Sequence, residues 1–194
     1  MIDEPTLDRI VEFHGHMCPG LAMGIQAAQL ALRAVGEHSK DEEVVAVVET
    51  DMCGVDAIQF LTGCTFGKGN LIHRDWGKNV YTFYRRSDGR AVRIAGRPDA
   101  WARDPERQAL FDQLADETAS EFRQLHAEES RRILDLPAEQ LYTVRPVQGP
   151  PPHHARVFDT ILCAECGEGV METRVRRLHG RELCPPCFEA ALSD

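Results

Sequence analysis

Apolar side chains recur at helical spacing through the first 35 residues of the chain. Between residues 2 and 14 they share one face until Gly15, and between residues 20 and 35 they recur every three or four positions until Gly36. The second segment also carries small residues that would let another helix approach closely, namely Gly24, Ala27 and Ala31. The pattern predicts two helices, of which the second has a buried face.

Strand-like patterns follow these helices. Residues 44–49 form a β-branched run bounded by charge, which predicts a buried strand. Residues 79–85 and 91–94 alternate around the turn at 87–89, as the two strands of a hairpin do. Residues 141–147 are expected to add a last strand to the same sheet.

Two further stretches have helical periodicity. Residues 55–63 predict a short helix, and a longer pattern runs from Asp104 to about residue 134. Thirty residues are long for a globular helix, so we expect a break or a second helix, and a protruding helix pair would serve a homodimer. The fold class predicted for residues 1–148 is an α+β core domain that mixes helices with a sheet.

Composition divides the rest of the chain. Residues 149–158 contain three consecutive prolines, which stiffen a segment into an extended spacer. Residues 159–194 then form a separate segment that is too short to fold on an apolar core alone. The predicted organisation is therefore a core domain, a proline-rich linker and a small C-terminal domain.

Four cysteines in the last segment form two close pairs. Cys163 and Cys166 are followed after seventeen residues by Cys184 and Cys187, which is the spacing C-x2-C-x17-C-x2-C. Two such pairs are typical of structural zinc, in which four thiolates complete a tetrahedron and leave no position for a substrate. The pattern predicts a treble-clef zinc finger stabilised by its metal. A pair of redox dithiols is the alternative, which we rank below structural zinc.

Composition and charge narrow the functional classes. With 194 residues, of which 43% are hydrophobic, the chain has room for one core and a small appendage. A net charge of -9 argues against a general nucleic-acid binder, which needs a cationic surface. No stretch approaches a membrane span and no signal segment begins the chain, so we expect a cytoplasmic protein that does not enter a membrane. Seven cysteines without a secretion signal favour metal or redox use over a disulfide framework.

A second group of metal-binding side chains lies between the two N-terminal helices. His16 and Cys18 point to the same side of an extended segment, and Cys18 precedes Pro19, which suits the first position of a helix. A thiol there meets unpaired amides and the positive end of the helix dipole, so we expect a lowered pKa and a thiolate that shares a soft cation with His16. His14 continues the apolar face of the first helix, and the pattern alone is typical of a buried core histidine.

Two more thiols and a lysine follow the first predicted strand. Cys53 lies between a strand end and a helix start, a junction where α/β proteins collect ligands, although burial as a packing residue is at least as compatible with the sequence. Cys64 lies in a glycine-rich loop with Lys68, and for Cys64 we favour a functional role. The loop lacks the P-loop spacing, but its glycines and Lys68 could hold a small anion.

Four short motifs, taken together in this order, resemble a single family. They are Phe-His-Gly-His-Met-Cys-Pro-Gly-Leu at 13–21 and the segments 53–59, 62–71 and 75–78. Over residues 7–147 the chain resembles the E-subunit family of formylmethanofuran dehydrogenase. The resemblance implies an α+β core that is often dimeric and, in some members, an auxiliary C-terminal treble clef.

The same resemblance implies a metal-binding cleft in the core. The residues it places around or near that cleft are His14, His16, Cys18, Cys64, Cys53 and Lys68. The cleft would hold a second transition metal, with zinc as one candidate, in addition to the structural zinc. The family name does not establish an activity, because the sequence has neither the C-x2-C-x2-C-x3-C spacing of a ferredoxin cluster nor an evident pterin site.

Two functional hypotheses remain open. In the first, the chain is an accessory protein of a molybdenum or tungsten oxidoreductase, its cleft binds a metal through His16, Cys18 and Cys64, and its finger docks a partner protein. In the second, it is a zinc enzyme acting on a small anionic substrate, with an open metal position, His14 as the base and Lys68 holding the anion. A regulator that uses the finger on DNA is a weaker third hypothesis, against which the acidic charge argues.

Overall fold

A computed structural model of the chain describes residues 2–36, 43–100, 105–113 and 120–193. The chain divides after His154 into two compact units, which we describe separately. This division falls inside the segment that the prolines mark as a linker.

The first unit contains a mixed five-stranded sheet. Its strands are β1 (Val44–Val48), β2 (Leu71–His73), β3 (Val80–Arg85), β4 (Ala91–Gly96) and β5 (Tyr142–Pro146). Their order is β2-β1-β3-β4-β5, in which β1 and β2 are parallel and the other neighbours are antiparallel. The four predicted strands are confirmed, whereas β2 was not predicted because three residues are too few to display an alternating pattern.

The first unit also contains helices. Those described are α1 (Glu4–His14), α2 (Pro19–Val35), α3 (Gly54–Thr62), α4 (Pro105–Gln113), α5 (Ser120–Asp135) and α6 (Ala138–Leu141). The long helical pattern is thus represented by two helices, α4 and α5. Its predicted N-cap, Asp104, and residues 114–119 between the two helices lie outside the described residues.

Helix α2 is buried along most of its length, between the sheet, α3 and α5. Even its polar Gln26 is only 5% exposed. The Gln26 amide nitrogen donates to the carbonyls of Ile133, Leu134 and Leu136, at 3.0, 2.9 and 2.9 Å, where α5 ends. These bonds satisfy carbonyls that a helix end leaves without a partner in its own helix.

Helices α2 and α3 approach each other backbone to backbone. A β-carbon on Gly24 would overlap the backbone of Gly54, and one on Gly54 would lie 3.1 Å from the carbonyl oxygen of Gly20. The close approach predicted at Gly24 is therefore confirmed. Because of it, the N-terminal ends of α2 and α3 lie side by side.

The second unit contains two short hairpins and a helix. Its elements are β6 (Thr160–Leu162), β7 (Gly169–Met171), β8 (Arg176–Leu178), β9 (Arg181–Leu183) and α7 (Pro185–Ser193). Strands β8 and β9 pair around the turn at His179-Gly180, and residues 172–174 form a 3-10 turn. Strands β6 and β7 form the other hairpin.

Helices and mixed sheets in one chain confirm the predicted α+β class. Among the described residues, no helix is both long enough and apolar enough to cross a membrane.

Candidate metal centres

The four cysteines of the C-terminal unit converge on one point. Their sulfur atoms all lie within 4.8 Å of one another, with 3.9 Å between Cys166 and Cys184. The two pairs come from the turn after β6 and from the start of α7, so each turn supplies two donors. The arrangement fits the four-sulfur shell of structural zinc.

Backbone amides and neighbouring thiols set the electrostatics of this cluster. The amides of Cys184, Cys166 and Glu165 lower the pKa of Cys163 to about 6, and the Cys184 amide donates to the Cys163 sulfur at 3.3 Å. The neighbouring Cys184 thiol raises the pKa of Cys187 to about 12. Thiolates crowded in this way repel one another, and a divalent cation between them removes that repulsion.

The apolar cluster beside these sulfurs is small. It has three buried residues, Cys163, Leu183 and Cys184, and two of them are metal-donor candidates. So small a cluster does not fold on apolar burial alone, and a metal held by the four sulfurs would supply the missing stability.

The second cluster lies in the first unit, where the chain turns from α1 into α2. Gly15 ends α1 in the left-handed conformation at φ 97°, and Cys18 is the N-cap of α2. The turn brings donor atoms of His14, His16 and Cys18 within 4.8 Å of one another. Donor atoms around a tetrahedral zinc are about 3.5 Å apart, so modest side-chain rotations would bring the three donors onto one ion.

His14 is oriented from the opposite side by a carboxylate. Its Nδ1 lies 2.7 Å from Oδ2 of Asp56, in the first turn of α3, and its Nε2 faces the Cys18 sulfur at 3.9 Å. Gln59 donates to the other Asp56 oxygen at 3.3 Å. A histidine whose Nδ1–H is bound to a carboxylate presents a free lone pair on Nε2, which is the usual state of a metal-binding histidine.

Asp56 is the site residue that the sequence analysis missed. Its signal was the Cys-Gly-Val-Asp segment at 53–56, where an acidic side chain follows a thiol at a helix start. Only the packing of α3 against α2 reveals that this carboxylate faces His14, which lies 42 positions earlier.

Cys18 differs electrostatically from its prediction. The Leu21 amide donates to its sulfur at 3.3 Å, as expected for a helix N-cap, and lowers the pKa. Burial outweighs this effect, and together with the neighbouring Cys53 thiol it raises the pKa of Cys18 to about 11. The predicted lowering is therefore wrong, because Cys18 is only 7% exposed.

Cys64 does not join the cluster. Its side chain is fully buried in the main core, and its thiol donates to the carbonyl of Val44 at 3.3 Å. The same carbonyl accepts from the Asn70 side chain at 3.0 Å, so the contact fastens the loop at 63–70 to β1. Burial raises the pKa of Cys64, and the nearby charge of Lys68 lowers it by less.

An open cleft of about 320 Å³ adjoins the His14 cluster. It lies at the carboxyl ends of the parallel strands β1 and β2, where α/β proteins commonly bind ligands. Its lining residues are His14, Val48, Thr50, Asp51, Met52, Cys53, Val55, Asp56, Leu71 and His73.

The lining of the cleft is mostly apolar, with two carboxylates, Asp51 and Asp56, and two histidines, His14 and His73. Among the described lining residues there is no lysine or arginine, and Lys68 and Cys64 both lie elsewhere. The cleft therefore brings Cys53 and His14 to one surface but separates them from the predicted anion-binding loop.

Two family models match the chain. One, described as "FmdE, Molybdenum formylmethanofuran dehydrogenase operon", matches residues 13–143. The other, described as a prokaryotic dksA/traR C4-type zinc finger, matches residues 158–191 and agrees with the cluster of four cysteines. The C-terminal unit is thus a C4-type zinc finger with a structural zinc site.

The chain is also similar to two individual proteins. A probable S-adenosyl-L-methionine-binding protein of Archaeoglobus fulgidus is 33% identical over 181 residues, which are 87% of this chain and 49% of that protein. This chain therefore spans about half the length of that curated relative. A solved FmdE-like protein from Syntrophus aciditrophicus, described as related to tungsten formylmethanofuran dehydrogenase, is 25% identical, with a TM-score of 0.68 over 97% of this chain and 92% of that one.

Proposed function

Because this chain belongs to the FmdE family, we propose that it is a metal-binding accessory protein whose core cleft holds a transition-metal ion. The proposed ligands are His14 Nε2, His16 and Cys18. Asp56 orients His14, and the zinc finger has a structural role. The proposed partner is an oxidoreductase subunit that carries the redox cofactor, and the proposed assembly includes a homodimer.

One observation carries the proposal of a core metal: Asp56 contacts one ring nitrogen of His14, and Cys18 lies near the other. A histidine on an apolar face commonly packs in a core, but this one has a carboxylate at Nδ1 and a thiol opposite Nε2. A histidine that binds a metal through one ring nitrogen usually donates its other ring N–H to a carboxylate or carbonyl, which is the role that Asp56 would have here. The imidazole and thiol donors suit zinc, nickel, copper or iron better than magnesium or calcium.

An accessory role is favoured over independent redox catalysis by what the sequence contains. It has no ferredoxin-type cysteine spacing and no evident pterin site, so a molybdenum or tungsten reaction would need another protein chain. In this role the core ion would bind a ligand and pass it to the partner protein. It would not carry out electron transfer by itself.

A metal-dependent enzyme is the second candidate, and the cleft beside His14 favours it. Three protein ligands would leave a fourth metal position for water or substrate, facing a cleft large enough for a small molecule. His14 would be a ligand rather than the base in this arrangement. An anionic substrate is disfavoured, because Asp51 and Asp56 line the cleft and Lys68 does not. A neutral or cationic ligand fits better. S-adenosyl-L-methionine, which the name of the Archaeoglobus relative mentions, is one such ligand because it carries a sulfonium cation.

Metal content per chain tests the core site. The full chain is purified without chelator or affinity nickel, and its metals are measured by inductively coupled plasma mass spectrometry. We expect about two metal equivalents in the wild type and about one in a His16→Ala, Cys18→Ala double variant. Cys64→Ala is the matched control, because it removes a buried thiol outside the cluster and leaves both equivalents.

One outcome would contradict the proposed core metal site. If the double variant retains the metal content of the wild type while circular dichroism shows both to be folded, the core cluster is not a metal site.

Titrating the wild type with S-adenosylmethionine in a calorimeter separates the two candidate functions. Binding that the double variant lacks favours a ligand-binding cleft at the metal, whereas no binding favours the accessory role.

A further inference from the structure

Cys18 and Cys53 come from different helices but share one small space. Each directly precedes its helix, Cys18 before α2 and Cys53 before α3. A β-carbon built on Gly20 would lie 3.9 Å from the Cys18 sulfur and 3.8 Å from the Cys53 sulfur. The real glycine has no such atom, so both sulfurs pack against the same bare stretch of backbone. The Cys53 thiol also contributes to raising the pKa of Cys18, as expected of two close thiols.

The two thiols differ in their access to solvent. Cys53 is half-buried and lines the cleft, whereas Cys18 is 7% exposed and does not line it. A small oxidant that enters the cleft therefore meets Cys53 first. An accessible thiol backed by a second thiol is the arrangement in which a first oxidation product is resolved as a disulfide.

We propose that Cys18 and Cys53 form a redox-active dithiol that hydrogen peroxide oxidises to a disulfide. The Cys53 sulfur attacks the peroxide, so that an S–O bond forms, the O–O bond breaks, and the thiol proton leaves with the departing hydroxide as water. The Cys18 sulfur then attacks the Cys53 sulfur, forming the S–S bond and breaking the S–O bond, and a second water leaves. In sum, two thiols and one peroxide give one disulfide and two waters, with both sulfurs oxidised and the peroxide reduced.

Oxidation of the dithiol would release the core metal, a consequence that rests on the proposed function. A sulfur in a disulfide is no longer the thiolate that a metal needs, so oxidation of Cys18 removes one of three core ligands. The finger is a separate case, because its four cysteines form their own cluster in the other unit. Peroxide at a low dose is therefore expected to empty the core site before the finger.

Peptide mapping of the full chain tests the disulfide directly. Trypsin leaves Cys18 in fragment 10–33 and Cys53 in fragment 41–68, which also holds Cys64. A Cys64→Ala background therefore gives each fragment a single thiol. The protein is treated with one to a few equivalents of hydrogen peroxide, free thiols are alkylated in denaturant, and linked fragments are identified by mass. Released metal is followed in parallel with a chromophoric chelator.

We expect the linked pair of fragments to appear together with the loss of about one metal equivalent. In Cys53→Ser on the same background, the linked pair is absent and metal release by peroxide is several-fold slower. Chymotrypsin, which cleaves between Cys53 and Cys64 at Phe60, reads the same link in the wild type if Cys64→Ala does not fold.

Two outcomes overturn the dithiol. One is oxidation of Cys53 to its sulfinic acid while Cys18 stays free, and the other is a link from either thiol to a finger cysteine. Failure of the proposed function has a different signature. In that case the disulfide between fragments 10–33 and 41–68 forms, but the untreated protein holds no core metal to release.

Discussion

The two ring nitrogens of His14 face different groups. Nδ1 meets the Asp56 carboxylate at 2.7 Å, and Nε2 faces Cys18 at 3.9 Å. The side chain is 10% exposed, so the burial that makes it resemble a core histidine is real. Burial and ligation are compatible here because the carboxylate satisfies one nitrogen and leaves the other available to a metal.

Removing the Asp56 carboxylate is expected to weaken the core metal without removing a ligand. In Asp56→Ala the His14 ring loses the partner that fixes its tautomer and orientation, so metal affinity falls about 10- to 100-fold. Competition against a chelator of known affinity measures the change. Asp51→Ala is the matched control, because Asp51 lines the same cleft and makes no described contact with His14.

Equal affinities in Asp56→Ala and the wild type would mean that His14 does not bind the metal. A thermal melt of both aspartate variants separates this effect from unfolding. Since Asp56 is partly exposed in the first turn of a helix, we expect its alanine variant to melt near the wild-type temperature.

The positions of two thiols differ from what the sequence indicated. The sequence favoured a functional role for Cys64, which lies in a glycine-rich loop, and left Cys53 open between packing and function. The structure buries Cys64 against Val44 and opens Cys53 to the cleft. Loop composition does not reveal which side of a turn faces the core, whereas His16 and Cys18 could be paired from sequence because they are two residues apart.

At the scale of elements, the approach of α2 to α3 positions the whole core cluster. Cys18 begins one helix and Asp56 lies in the first turn of the other, and His14 reaches both. The helices can approach this closely because Gly24 and Gly54 expose bare backbone to each other. The geometry of the proposed site therefore depends on a contact that involves none of its ligands.

A methyl group at Gly24 is expected to disturb both stability and the site. In Gly24→Ala the new β-carbon overlaps the Gly54 backbone, which cannot rotate away as a side chain can. We expect a loss of about 1–3 kcal/mol in the free energy of unfolding, measured in urea, with weaker core metal binding in the variant that still folds. Gly67→Ala is the control, because a β-carbon there meets no atom within 4 Å.

Stability equal to that of the wild type in Gly24→Ala would contradict the tight contact.

At the scale of elements, part of this packing could be predicted from the sequence. Small residues on α2 indicated a close helix partner, and the apolar pattern located α1, α2 and α3. It could not identify the partner as α3 or give Asp56 a role, because the periodicity of one helix shows which face is buried but not which element covers it.

On the scale of the whole molecule, the two units draw their stability from different sources. The first unit buries a large apolar cluster around α2 and the sheet. The second buries only Cys163, Leu183 and Cys184 among its described residues, and its hairpins have three-residue strands. Cysteine spacing made the finger predictable without any apolar pattern, because a metal site specifies its ligands in the sequence more strictly than a core does.

Metal removal is therefore expected to have unequal effects along one chain. A strong chelator removes the finger zinc, and the second unit then loses its structure, because the crowded thiols and small apolar cluster cannot hold it. The same chelator empties the proposed core site, but the apolar cluster keeps the first unit folded. Hydrogen exchange followed by mass spectrometry should show protection lost from β6 to α7 and retained in β1, β3 and α2.

Without chelator, Cys184→Ala should show the same loss of protection in the finger, whereas the Cys64→Ala control should not. Unchanged protection in the finger after its zinc has left would instead assign its stability to the chain alone.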